Sequence, residues 1–218
     1  VMFVTRIRGG FIFSGGRVEV SRVPSEAFIE SSSFPVGVVS EKSAVEKTGG
    51  GRPPYWEMVF WWTRKPLASA RAIIAGSLLP SNINVNMFLE VLRLNEKSPH
   101  RYNPILPEGW EEWFRGKSLL DPFAGFGSVP LEAFRLGLSR VVAVELLPTC
   151  YVFLKAVLEY PLKYGKELIG DVERWGNWVT ERLREDPVIQ ELYEPDVAVY
   201  IGSWEVKCPH CGRINPLE

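Results

Sequence analysis

Cysteine is too scarce here for a disulfide-stapled scaffold: Cys150 stands alone in an apolar stretch, and only Cys208 and Cys211 are close together, as a CxxC. A reducing compartment, the cytoplasm, is the expectation. No apolar run approaches the roughly 20 residues that span a bilayer, so no membrane partner is expected. The opening VMFVTRIRGGFIFSGG also lacks the continuous apolar core and small-residue cleavage site of a secretion signal. A net excess of either charge is missing as well. A formal net charge of −1 excludes the global basic field of a nucleic-acid-coating protein. The balance is uneven, however. The first third has no Asp and brings Arg52, Arg64, Lys65 and Arg71 close together, so phosphate contact is expected there.

With 46% apolar residues in 218, the chain can bury a sizeable core, and one domain with an extension is expected. Residues 1–33 read as an extension, with a hairpin where Phe11, Phe13, Val18 and Val20 alternate around Gly15-Gly16. Residues 34–117 form a second region. It holds a short helix in SEKSAVEK, a glycine and proline loop, the aromatic run YWEMVFWW, a helix starting after Pro66 and stopped by Pro80, and a further helix VNMFLEVLRLNEK before a proline-rich connection. Core packing is the expected role of Trp56, Trp61 and Trp62.

Residues 118–206 carry the most informative pattern. KSLLDPFAGFGSVPLEAFRLG predicts a short buried strand, a turn at Gly125 and Gly127, and a helix from about Ser128 to Leu136 closed by Gly137. RVVAVEL then predicts a second buried strand ending at Glu145. This is the first strand–helix–strand unit of a doubly wound α/β sheet, whose ligand crevice lies beyond the carboxyl ends of the strands. Gly125 and Gly127 allow a tight turn and close approach of a ligand to backbone, and Glu145 can hold both hydroxyls of a ribose. Asp121 can pair with the ammonium of a methionine moiety but would repel a pyrophosphate. That favours S-adenosyl-L-methionine over NAD, as does the absence of G-x-G-x-x-G spacing, since position 130 is Pro.

LLDPFAGFGSVPLEA resembles motif I of the methyltransferases that act on adenine N6 or cytosine N4 in DNA. FPVGVVSEKSAVEK, GGGRPPYWEMVFWWTRKPLASARAIIAGSLLP, VVAVELLPTCYVFLKAVLEYP and VKCPHCGRINPL are similar to the opening of a large prokaryotic family of adenine-specific DNA methylases whose N-terminal region is a domain of unknown function. The likeness covers most of the chain after about Phe28. It implies a partial Rossmann-like sheet, S-adenosylmethionine as cofactor and DNA as partner. It also implies that Arg64, Lys65 and Pro66 lie near the methionine carboxylate, that Asp121, Phe123, Gly125 and Gly127 cradle methionine and adenosine, and that Glu145 binds the ribose.

Such enzymes need a [DNS]PP[YFW] tetrapeptide to accept hydrogen bonds from the target amino group and to stack on the flipped base. None follows Glu145. Arg52-Pro53-Pro54-Tyr55 is a decoy, since Arg accepts no hydrogen bond, so no catalytic residue is assigned. After Glu145 the sequence predicts a helix LPTCYVFLKAVLEY ended by Pro161, an amphipathic helix from about Gly165 to Arg184 and a strand VAVYI, too little for a seven-stranded sheet. The expectation is a portion inactive alone, completed by a C-terminal catalytic part, or with its open sheet edge covered by a homodimer. The alternative is a non-catalytic homologue that binds DNA or a partner through the Arg52 to Arg71 face. In residues 207–218 Cys208 and Cys211 have the spacing of half a zinc knuckle, with His210, Cys150 and His100 as the remaining candidate ligands, none at standard spacing.

Overall fold

The computed structural model describes the backbone of Met2–Ile7 and residues 22–48, 52–59, 61, 63–194, 196–197 and 202–216. The hairpin expected around Gly15-Gly16, Trp62, and the strand VAVYI apart from Val197 lie outside the described residues. Two compact units are present, Val1–Gly165 and Lys166–Glu218.

The first unit is α/β. Strand β1 (Met2–Ile7) is followed by helices α1 (Val36–Val45), α2 (Leu67–Leu78), α3 (Val85–Val91) and α4 (Glu111–Phe114). Next come strand β2 (Ser118–Asp121), helix α5 (Ser128–Arg135), strand β3 (Arg140–Glu145), and helices α6 (Pro148–Leu154) and α7 (Tyr160–Tyr164). The sheet order is β1–β3–β2, with β2 parallel and β1 antiparallel to β3. The strand–helix–strand unit expected from LLDPFAGFG is therefore present, and Gly137, with φ +86°, follows the end of α5. Leu119 and Val141 pair on the face that joins the helical core, whereas Leu120 turns to the opposite face and is 64% exposed.

Alanines explain why α2 sits at the centre. Ala68, Ala72 and Ala75 are fully buried and let α1 and α5 approach closely, while Phe28, Phe34 and Phe88 pack edge to face beside them, their centroids 4.9–5.8 Å apart. Inside this layer lies an ion pair. Arg71 donates through Nε to Glu132 Oε2 (2.6 Å) and through Nη2 to Oε1 (3.2 Å), and both side chains are fully buried. Its remaining protons go to the carbonyls of Leu92 (2.8 Å), Pro99 (3.2 Å) and Tyr102 (3.0 Å). Arg135 closes the other side of Glu132 at 2.7 Å. Arg71 thus does not belong to a phosphate-facing surface, contrary to its grouping with Arg52 and Arg64 by sequence. Its charge is consumed in the core, because α2 turns that position inward.

Three element boundaries differ from expectation for physical reasons. The SEKSAVEK helix begins earlier, at Val36, after Pro35. Helix α3 stops at Val91 rather than reaching Lys97: Arg93 takes a left-handed φ of +59°, the Leu94 amide bonds back to Leu89, and Arg71 takes the Leu92 carbonyl. Pro161 does not end the helix after Glu145. A π-helical turn over Lys155–Glu159 shifts the hydrogen-bond ladder, Pro161 occupies the first turn of α7, and termination waits for Gly165.

Glu46, immediately after α1, caps α2. Its carboxylate accepts from the amides of Leu67 (2.6 Å) and Ala68 (3.0 Å), supplying both hydrogen bonds and negative charge at a helix N-terminus. Burial outweighs these bonds and pushes the Glu46 carboxyl up to about 7. His100 lies beside it, Nδ1 at 3.9 Å from Oε1. Burial, and then Arg101, Arg135 and Arg71, lower its basicity, so the imidazole is neutral at pH 7 and the contact is not an ion pair.

The second unit falls within Lys166–Glu218. It comprises α8 (Glu167–Glu185), α9 (Pro187–Leu192) and a two-stranded antiparallel ribbon of β4 (Glu205–Lys207) and β5 (Ile214–Pro216). Along α8, Ile169, Val172, Trp175, Val179 and Leu183 recur at helical spacing and are exposed.

Two measurements check this account. Glu132→Gln leaves the Arg71 charge uncompensated in the core and lowers urea-unfolding stability by about 3–5 kcal/mol, whereas Arg71→Met with Glu132→Leu recovers much of the loss. For Glu46 the folded value lies above the ordinary one. The stability it contributes is therefore complete below about pH 4.5 and disappears as pH rises through about 7. The stability difference between wild type and Glu46→Gln shrinks over that window; subtraction removes the opposite trend of His100, whose lowered basicity favours the fold as pH rises.

Candidate functional site

The carboxyl ends of β2 and β3 lie side by side. Asp121 pairs in register with Ala143, and Glu145 lies two residues beyond, so both carboxylates fall on the same face of the sheet. Between them the chain turns through residues 122–127. Asp121 Oδ1 accepts from the Phe123 amide (3.1 Å), and the Ala124 amide crosses to the Val144 carbonyl (3.0 Å). Glu145 then fastens the turn: Oε2 accepts from the Gly125 amide (2.7 Å), and Oε1 accepts from the amides of Leu146 (2.7 Å) and Leu147 (3.0 Å). Partial burial raises the Asp121 carboxyl above its usual range, with the Glu145 charge acting in the same direction. The Phe123 amide and Lys65 act against it.

The two glycines differ in kind. Both have positive φ, +52° at Gly125 and +78° at Gly127. A methyl group on Gly127 would lie 2.6 Å from Leu154 Cδ2, whereas one on Gly125 would meet nothing within 4 Å. Gly127 lets α6 pack against the start of α5, while Gly125 faces open space. Phe123, 89% exposed, stands on the same turn.

The segment before α2 approaches from the other side. Trp61 packs on Phe126 with centroids 5.0 Å apart, Phe126 on Phe153 at 4.1 Å, and Tyr55 on Phe153 at 5.9 Å. Arg64 places its guanidinium 5.7 Å from the Phe126 ring and 5.8 Å from Trp56, and donates to the Val59 carbonyl. Pro66 is the residue that opens α2, and Lys65 lies within electrostatic reach of Asp121. The fold therefore brings the TRKPL segment to the glycine turn, with Arg64 engaged with aromatic rings. Trp56 is buried, as expected of a core residue. Tyr55 of the RPPY segment is packed under Phe153 with its hydroxyl buried, and burial pushes the phenol up to about 12. It is not a free stacking surface.

Glu46, Arg71, His100 and Glu132 escaped the sequence reading as a connected group. Charged residues on predicted helices look solvent-facing, and only the crossing of α2 with α5 reveals a buried cluster. In the second unit, Cys208 and Cys211 lie in the turn between β4 and β5. The Cys208 amide donates to Arg213 O (2.8 Å) and the Gly212 amide to Cys208 O (2.9 Å), while the amides of Cys211 and His210 lower the Cys208 thiol below its usual range. Two thiols are half of what a structural zinc needs. Among the described residues no group of three or more His, Cys, Asp or Glu comes together. Cys150 is buried on α6 of the first unit. No helix among the described residues is long and apolar enough to cross a membrane.

The contrast between the glycines gives a direct check. Gly127→Ala combines backbone strain with the Leu154 clash and lowers stability by about 1–3 kcal/mol. Gly125→Ala carries only the cost of the left-handed backbone, on the order of 1 kcal/mol. Thermal denaturation of the two variants separates them.

A family model for a protein of unknown function (DUF1156) matches residues 33–101, about a third of the chain, and this domain is associated with DNA-methylase-linked proteins. The match covers α1, α2 and α3, and with them Glu46, Arg64, Lys65, Arg71 and His100. It stops before Asp121 and the glycine turn. No curated protein and no solved structure matches the chain.

Proposed function

We propose that this chain is the S-adenosylmethionine-binding portion of a methyltransferase acting on amino groups of DNA. The observation that carries the proposal is the pair Asp121 and Glu145 at the ends of adjacent parallel strands, on either side of a glycine turn that opens into α5. The DUF1156 match supports the DNA-methylase side of this assignment at a coarse level.

The residues present fit the cofactor chemically. Gly125 leaves space for a ligand against the backbone. Asp121, with one oxygen held by the Phe123 amide, keeps a second for an ammonium group. Glu145 has two oxygens and about four acceptor positions, of which three are taken by amides, so a ribose hydroxyl has a place and a second displaces one amide. A pair of carboxylates also suits a ligand carrying an ammonium and a sulfonium, and disfavours a pyrophosphate. When bound, S-adenosylmethionine supplies an electrophilic methyl group. This chain's contribution is to bind and orient: Asp121 fixes the amino-acid end, Glu145 the ribose, and the exposed Phe123 ring offers apolar surface beside them. Lys65 acts on Asp121 against the burial that raises its carboxyl. No residue after Glu145 is assigned to the proton of the target amino group, and RPPY is not assigned to it either, since Tyr55 is committed to packing.

Calorimetric titration with S-adenosylmethionine tests the proposal. Removing one charge-assisted hydrogen bond in Asp121→Ala or Glu145→Gln weakens binding by roughly 10- to 100-fold, and Gly125→Ala weakens it while leaving the fold intact. Wild-type-like affinity in both carboxylate variants would sink the assignment.

A further inference from the structure

Next to the glycine turn lies a cavity of about 400 Å³, and of its lining residues only Arg64 belongs to the set that the family resemblance places near the cofactor. Lys47, Arg52 and Arg64 supply its positive charge, Glu57 its one carboxylate, and Trp56 and Trp61 its aromatic walls. Glu57 is 3.4 Å from Arg52 and offsets it in part; both side chains are about half exposed and free to reorganise around a ligand. Among the described residues Lys47 has no carboxylate partner within 4 Å. Arg64 is fixed between the Trp56 and Phe126 rings, with its Nε buried and without a hydrogen-bond partner among the described residues. Trp61 is shared, lining the cavity while packing on Phe126 of the turn.

Two adjoining sites of opposite sign result. On the strand ends are Asp121 and Glu145, suited to a cationic ligand; across the Trp61–Phe126 contact are three cations and one acid, which would repel a sulfonium and attract a phosphate. Indole walls beside cations fit a nucleotide, whose phosphate needs the charge and whose base needs an aromatic surface. The volume lies in the range of small-ligand sites and admits one nucleotide unit.

We propose that this cavity receives one nucleotide of a DNA strand, its phosphate between Lys47 and Arg52 and its base against Trp61. Its role as methyl acceptor rests on the cofactor assignment; its ability to bind a strand does not.

The test is fluorescence anisotropy with a labelled single-stranded oligonucleotide about twelve nucleotides long, measured over a range of KCl concentrations. Lys47→Ala with Arg52→Ala is expected to weaken binding at least about tenfold at low salt and to shrink the slope of log affinity against log salt by about 0.7, the contribution of the one phosphate that is no longer neutralised. Trp61→Ala should weaken binding by roughly 5- to 100-fold, and Trp61→Phe should restore most of it. S-adenosylmethionine titration of the Lys47/Arg52 variant is expected to match wild type, which shows that the fold survives. Unchanged oligonucleotide affinity and slope in that variant would overturn the proposal. So would displacement of the strand by free dAMP at equal nucleotide concentration, which would make a mononucleotide the ligand. Failure of wild type to bind S-adenosylmethionine, with strand binding still weakened in the Lys47/Arg52 variant, would sink the cofactor assignment and support this one.

Discussion

The buried pair of Arg71 and Glu132 is the constraint on which the first unit depends. A guanidinium and a carboxylate removed from water each cost several kcal/mol, and the cost is met only if nearly every proton and lone pair finds a partner. Here it is met by drawing in α2, α5, the end of α3 and the connection from Pro99 to Tyr102, since Arg71 bonds Glu132 and the carbonyls of Leu92, Pro99 and Tyr102. Apolar packing alone would tolerate sliding between these elements. A network of directed bonds fixes one arrangement, and that arrangement sets where α5 begins and hence where the glycine turn sits.

From that anchor the candidate site follows in steps. Glu46 caps α2 and so holds the residues just before it, Arg64, Lys65 and Pro66, at a defined place. The aromatic segment Tyr55 to Trp61 folds back over Phe126 and Phe153 and joins those residues to the turn. The region that matches DUF1156 thereby becomes one wall of a site whose other wall, Asp121 to Glu145, lies outside the match. Charge is divided along this seam, acidic at the strand ends and basic across it. The proposed function, a cationic donor meeting a polyanionic acceptor, would draw on that division, because opposite charges keep each ligand out of the other's place.

Sequence alone determined what depends on short-range chemistry. The strand–turn–helix–strand run from Ser118 to Glu145 was legible because apolar runs, glycines and a strand-end acid fall within one local pattern, and the two positive-φ glycines stand where the turn requires them. The helix after Pro66 and the burial of Trp56 were legible for the same reason. The tertiary structure decided whatever depends on which face meets which. Arg71 looked like a surface cation beside Arg52 and Arg64, yet α2 turns it into the core. The helix through Pro161 looked terminated, yet a π turn carries it to Gly165. Leu120, apolar in sequence, faces outward. Local pattern encodes backbone preference. The fate of a charge or an exposed leucine is set by neighbours distant in sequence, which only the folded chain brings together.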